Sequence, residues 1–452
     1  MAGVHRFGNK TIETVVRADE RYGHDCLFQG PRGRDYWNML EHPRPIQYAN
    51  LYPDQHATYW VAKLHLPAGA VLTLRHSFPY CRYMQFALYE EQELGGFVGT
   101  LEHLIDIQID PDPGSENPFR VGADRHAVGR AFTLRVVAGE RPPGARLPNT
   151  LYCDPAKPLE MVYRTYLPDA GRDGSGDVGL PSYEATLADG TALVGHEVCD
   201  ELGSPVEGST APGLSAEMWH KLLADPGNDP GLEPATTPAR NPPVFERYYN
   251  TAYSLVGVFK SAEARKKLAA DAATGFGGDP LTIFLMSFIS RKFGPVYVMR
   301  GKMPKFPDTY LGADGEGLAT MPQDEVRYWS LIMSESPPSG QGGDAVSDFQ
   351  VPLDAGRNYT IVISLPEDRP GNATEDNGVL WMDWGTRGEG LPGPENRPEF
   401  GLLVMRFMAC NPSWANSPEK ATVPGTEAEV MGSYFPTGEY TDRATFEAKG
   451  LS

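Results

Sequence analysis

The sequence has no excess of basic residues: 40 Lys and Arg stand against 59 Asp and Glu, a formal charge of −19 over 452 residues. That balance argues against a fold-wide basic surface, so neither nucleic acid nor an anionic membrane is expected as a partner. Cysteine is scarce. Cys26, Cys81, Cys153, Cys199 and Cys410 are scattered, odd in number and form no CxxC pair. A structural zinc site and a dense disulfide scaffold are therefore not expected, which leaves room for one or two bridges. Long apolar runs are lacking too. The most apolar stretch, LTIFLMSFIS at 281–290, is about half the length of a membrane-spanning helix. The opening residues, MAGVHRFGNKTIETVV, hold no apolar core of signal-peptide length. A cytoplasmic location is the default expectation, or a secreted one if a leader has been removed. No Gly-rich phosphate loop follows a strand-like segment, which argues against a Rossmann domain or a P-loop. The ten histidines form no HExxH or His-x-His set, so catalytic zinc or non-haem iron is not expected.

What is present is turn chemistry and repetition. Gly 49 and Pro 41 are well above ordinary usage, while hydrophobic residues at 40% suit a globular core. Four sequence blocks recur in the same order. CRYMQFALYE (81–90) matches VRYWSLIMSE (326–335), and LIDIQIDP (104–111) matches VSDFQVPL (346–353). GRAFTLRVVAGERP (129–142) matches GRNYTIVISLPEDRP (356–370), and LEMVYRTYLPD (159–169) matches GLLVMRFMACNP (401–412). The blocks alternate or nearly alternate, are rich in aromatic and β-branched residues, and stop at Gly, Pro or Asp. The fold expected is mainly β: two tandem antiparallel β-sandwich units, jelly-roll-like and related by internal duplication, with a partly helical connector. The boundaries drawn are an N-terminal segment at 1–50 packed on a sandwich, a first sandwich at 51–200, a connector at 201–280, a second sandwich at 281–435 and a C-terminal tail at 436–452. Within the connector, GLSAEMWHKLLAD (213–225) and SAEARKKLAADAATG (261–275) have helical composition, and proline-rich 228–250 is expected to wrap the surface. LTIFLMSFIS is a buried helix or strand, which periodicity leaves open.

The paired β units, the YWSLIMSE strand (328–335) and the turn from Asp112 to Phe119 resemble a large bacterial group of duplicated β-sandwich proteins carrying domains of unknown function (the 1254/1214 type). The resemblance covers most of 70–170 and 295–410. It implies a fold, and no catalytic residue comes with it.

Six arginines sit in the repeated blocks: Arg82 with Arg327, Arg130 with Arg357, and Arg164 with Arg406. A strand arginine must meet solvent, a carboxylate or carbonyls. Asp106 and Asp348, also repeated, are the natural partners, and structural ion pairs inside each unit are expected. Residues that break the repeat are better chemical candidates. LWMDWGTRGEG places Asp383 between Trp381 and Trp384, where desolvation would suit a general acid, and Glu389 follows as a second carboxylate. In LRHSFPYCRY, His76 is a candidate base and Tyr80 a donor to a developing oxyanion, with Arg75 beside them. Arg300 and Lys302 occupy the aligned place in the second unit and would hold an acidic substrate. Asp173, Ser175, Asp177 and Glu184 fall at positions 1, 3, 5 and 12 of a calcium-type loop, although position 6 is Val178 rather than Gly. No other cofactor is expected.

These features support an enzyme of hydrolase or lyase/isomerase type, acting by carboxylate and His chemistry on a small oxygen-rich molecule or saccharide. Two alternatives stand beside it. One is a non-catalytic carbohydrate or small-ligand binding protein using Trp381, Trp384 and Trp414; the other is a structural protein assembling as a homo-oligomer.

Overall fold

The computed structural model describes residues 26–32, 52, 54, 56–91, 98–144, 146–204, 216–233, 235–270, 279, 281–310, 324–337, 339–340, 342–391, 394 and 396–449. The first unit contains β1 (Gln29–Arg32), β2 (Ala57–Leu64), β3 (Val71–Ser77), β4 (Cys81–Glu91), β5 (Val98–Ile105), β6 (Ala131–Ala138), β7 (Thr150–Cys153), β8 (Leu159–Pro168), β9 (Ser182–Thr186), β10 (Ala192–Val194) and β11 (Gly203–Ser204). After the short β12 (Glu246–Arg247) come β13 (Thr282–Ser290), β14 (Val296–Lys302), β15 (Tyr328–Ser334), β16 (Gly342–Ser347), β17 (Asn358–Ser364), β18 (Val379–Asp383), β19 (Phe400–Met408) and β20 (Thr437–Thr441).

Four sheets result. The first unit pairs β1-β2-β8-β4-β5, with β11 also on β2, and stacks this sheet on β10-β9-β3-β6-β7. The second pairs β12-β13-β19-β15-β16 and stacks it on β18-β17-β14-β20. Strand for strand, the large sheets have matching order. The smaller sheets match over β9-β3-β6-β7 and β20-β14-β17-β18, including one departure from antiparallel pairing: β6 with β7 and β17 with β18 are parallel. Alternation puts Trp60, Ala62 and Leu64 of β2 with Leu72 and Leu74 of β3 in the first core. Trp329, Leu331 and Met333 of β15 meet Tyr297 and Met299 of β14 in the second.

The opposite faces of the two large sheets are buried as well. Tyr59 and Val61 of β2, Tyr83 and Tyr89 of β4 and Tyr166 of β8 pack with Tyr328 and Met408 from the second unit. Burial on both faces explains why β8 and β19 read as nearly unbroken apolar runs instead of clean alternation. LTIFLMSFIS is strand β13 and pairs along its whole length with β19.

The ends depart from the expected boundaries. Within 1–50, Leu27 and Phe28 enter the first core, and Cys26 is disulfide-bonded to Cys199 in the helix His196–Leu202; Tyr36, Trp37 and Tyr48 lie outside the described residues. The segment assigned to a C-terminal tail supplies edge strand β20 against β14 and then a helix, Arg443–Lys449, whose Phe446 covers the outer face of the β14 sheet. Both connector helices form, as Ala216–Leu223 and Ala262–Ala270. Trp219 of the first packs with Phe259 against Phe288, Leu402 and Val404, covering the outer face of the second unit's large sheet.

Candidate functional site

The residues chosen from sequence for acid–base work do not converge. His76 faces the first core from β3, edge-on to Phe132 and Tyr163, with Nε2 3.1 Å from the Tyr163 hydroxyl. Burial lowers its pKa to about 3, so the ring is neutral at ordinary pH. The consequence is a measurable stability effect. A folded-state pKa depressed from 6.5 contributes stability above that value and loses it as pH falls toward 3. We expect about 3 kcal/mol to disappear between pH 7 and pH 4. His76→Phe should flatten that window in urea titrations run across pH, and an unchanged slope would assign it to other groups.

Asp383 ends β18 and closes a turn: its Oδ1 accepts the Gly385 N–H at 2.9 Å, while its own N–H donates to Asp344. The flanking indoles point into different layers. Trp384 joins the second core, and Trp381 lies on the outer face beneath Phe446, donating to the Ser364 hydroxyl at 3.0 Å. With Trp414 also buried, no exposed three-indole stacking platform exists. Arg300 pairs with Glu439 at 2.8 Å, and Lys302 lies over the Tyr434 ring. Register sets Arg300 beside Thr360 and Asp383 beside Ser364, four residues apart along the strands. That separation is about 13 Å at strand rise. Glu389 is fully buried and accepts from Trp219 Nε1 at 2.6 Å and from Arg397 at 2.5 and 3.0 Å. Tyr80 is sandwiched between the guanidinium groups of Arg130 (3.6 Å) and Arg172 (4.4 Å).

The calcium-loop alignment fails on geometry. Asp173 Oδ1 accepts the N–H groups of Ser175 and Asp177 and the Ser175 hydroxyl at 2.9, 3.0 and 2.6 Å, so the turn closes on its own donors. Glu184 lies on β9, paired with Arg75 at 2.8 Å across to β3. Among the described residues no group of three His, Cys, Asp or Glu is placed to share a metal ion.

The repeated ion pairs form, but they cross between units. Arg82 meets Asp348 at 2.6 Å and Arg327 meets Asp106 at 2.5 Å, all four side chains being essentially unexposed. Each aspartate also holds backbone N–H groups of its own unit: Met84 and Ile107 for Asp106, Trp329 and Phe349 for Asp348. Burial raises both carboxyl pKa values against the opposing pull of the arginines.

A second set crosses likewise. Asp54, ahead of β2, accepts from Tyr328 at 2.6 Å and Ser330 at 2.5 Å and lies 3.5 Å from Arg406. Asp279, ahead of β13, accepts from Gln85 at 3.1 Å, which stands opposite Arg164 in the β4–β8 register. Residue i meeting j′ while j meets i′ is the pattern of a two-fold contact. Arg130 and Arg357 find carbonyls instead: Phe78 and Pro79 for one, Met303 and Pro304 for the other. Asp54 and Asp279 escaped the sequence reading, although each stands three residues before an equivalent strand.

A small cleft lies elsewhere, between the connector and β13. It has a cavity volume of about 30 Å³ and is lined by Pro238, Val244, Val258, Met286 and Phe288, with Arg240, Glu246, Arg247, Tyr253 and Ser254. Proline-rich 238–247 forms one wall. β12 fixes it by pairing Glu246 with Met286 and Arg247 with Leu285. Arg240 donates to the Val258 carbonyl at 3.3 Å, and Arg247 to the carbonyls of Glu419 and Ala421. Neither has a carboxylate partner among the described residues. Glu246 is already engaged by Arg265. The signal for this site was present in PARNPPVFERYYN, where arginines and aromatics interrupt a proline-rich run.

No family model and no curated protein matches the chain. Several solved structures align with it, two of them over nearly the whole chain. An uncharacterised protein from Burkholderia cenocepacia is 11% identical, with 98% of this chain and 89% of that one covered and a TM-score of 0.47. A protein from Vibrio parahaemolyticus is 12% identical, with 96% and 97% covered and a TM-score of 0.37.

Proposed function

We propose that the protein binds a small molecule without transforming it, in the cleft between the connector and β13. The observation that carries this reading is the cleft's composition. Met286, Phe288 and Val258 line it together with Arg240 and Arg247, whose guanidinium groups meet carbonyls and, among the described residues, no carboxylate. Apolar area for affinity and a few placed polar groups for orientation are what a small-ligand site requires. The enzyme reading would need a titratable pair near the ligand. Its nominees are a core imidazole, a turn cap and a buried anchor, on three different elements. The Cys26–Cys199 bridge favours an oxidising compartment over the cytosol as the place of action. Among the described residues no helix is long and apolar enough to cross a membrane.

Val244 tests the site because it lines the cleft yet is 40% exposed. In a calorimetric screen against a small-molecule library, ligands of this cleft should bind Val244→Trp at least tenfold more weakly. Stability should change by no more than about 0.5 kcal/mol, as for other surface substitutions. Ligands that bind the variant as well as the parent would place the site elsewhere, and turnover of any of them would restore the enzyme reading.

A further inference from the structure

We infer that the outer edge of β20 takes a strand from a second copy of this chain, joining two of the smaller sheets antiparallel about a two-fold axis. The inference is independent of the cleft. It starts from how closely the two units match. The register of β3 on β6 is repeated by β14 on β17, which sets Val71 on Val296, Leu72 on Tyr297 and Arg75 on Arg300. Carried to the next strand, the same register sets Ser182 to Thr186 of β9 on Thr437 to Thr441 of β20. An ion pair repeats with it. Arg75 meets Glu184 and Arg300 meets Glu439, both at 2.8 Å.

Beyond these strands the units part. β9 turns back through Leu187 to Thr191, where Gly190 has a φ of +87°, and β10 returns along it with Leu193 opposite Ala185. β20 instead runs into Asp442, whose carboxylate accepts the Thr445 N–H at 2.8 Å. The chain then leaves for the outer face as the helix Arg443–Lys449. Among the described residues, β14 is the one strand paired with β20. Ala185 is buried, whereas every residue of β20 keeps part of its surface exposed. An open row of backbone N–H and C=O groups is a template for another strand.

Side-chain size along β20 selects the occupant. Tyr440 packs beside Tyr297 on the core side, and a Cβ on Gly438 would collide with the Tyr297 hydroxyl. A second copy placed where β10 lies in the first unit would set its Thr437, Gly438 and Glu439 against Thr441, Tyr440 and Glu439. The bulkiest side chain of each strand then stands beside the glycine of the other, and threonine meets threonine. TGEYT is thus complementary to itself read backwards, as a two-fold contact requires. Two glutamates meet at the axis. Each is already held by Arg300 and lies 3.9 Å from Lys449, so cations offset the like charges.

Five residues a side make a small contact, so the dimer should be weak. Sedimentation velocity at up to about 0.5 mM protein should show it forming reversibly. Glu439→Lys puts a further cation of each copy among Arg300 and Lys449, and should weaken dimerisation at least tenfold with an unchanged circular dichroism spectrum. Glu439→Cys tests the register separately. With oxidised glutathione it should cross-link two chains, whereas Thr437→Cys should not, because its thiol faces Thr441 of the other copy. A parent that stays monomeric over that range overturns the inference. So does a dimer that Glu439→Lys leaves intact, or one in which Glu439→Cys cross-links no more readily than Thr437→Cys.

Discussion

Arg82→Met should lower the unfolding free energy by about 3–5 kcal/mol, although the residue does not line the cleft. The substitution strands Asp348, which is fully buried and has no solvent to turn to. Its two backbone donors, Trp329 and Phe349, supply hydrogen bonds without a countercharge. Burial already holds this carboxyl above its ordinary value beside the arginine, so alone it moves higher and takes up a proton. A carboxyl raised in the folded state stabilises the fold below its unfolded value near 3.8 and loses that contribution as pH rises through the folded pKa. The deficit should therefore be larger at pH 8 than at pH 5. Adding Asp348→Asn removes the stranded charge while keeping an oxygen for one of the two backbone donors, so the double variant should recover part of the loss. A double-mutant cycle measured by urea unfolding reads this coupling directly. Because Arg327 and Asp106 make the same contact from the other side, Arg327→Met should reproduce the result. A loss below about 1 kcal/mol in both arginine variants would mean that the crossed pairs hold the units together only weakly.

The crossing also shows what the sequence made legible and what it hid. Alternation was enough for the mainly β class and for most of the strands, because period-two burial is a local property. The partner of a charged side chain is not local. Arg82 lies closer in sequence to Asp106 than to Asp348, and both aspartates occupy equivalent turns, so spacing alone favours a contact inside each unit. Only the packing of one large sheet on the other, through Tyr83, Tyr166 and Tyr328, exchanges the partners. Asp383 was misjudged for a related reason. Its two tryptophans are neighbours in sequence, but they leave β18 toward different layers, and an acid placed between two indoles in the chain is not between them in space. The cleft stayed hidden because a proline-rich connector carries no periodicity, even though β12 and the Trp219 helix anchor it as firmly as a strand.

That anchorage makes Glu389 the residue where stability and binding meet. Sequence spacing offered it as a second catalytic carboxylate, yet no substrate could reach it: it is unexposed and accepts from Trp219, from the Arg397 guanidinium and from the Arg397 N–H. Glu389→Ala leaves a partly exposed arginine without its countercharge and a buried indole N–H without an acceptor, at a cost of about 2–4 kcal/mol. Glu389→Gln keeps an acceptor for Trp219 and should cost less. The damage should be directional. Trp219 holds its helix over Phe259, and Phe259 shares a cluster with Phe288, which is also a wall of the cleft. Releasing the indole should therefore loosen 216–259 before the sandwiches themselves yield. Hydrogen exchange would resolve this as faster exchange across that segment with β8 and β19 still protected. Ligand affinity should fall in the same variant although no cleft residue has changed. Uniform acceleration throughout the chain would instead make Glu389 part of the global core, and the connector would then be no independent support for the site.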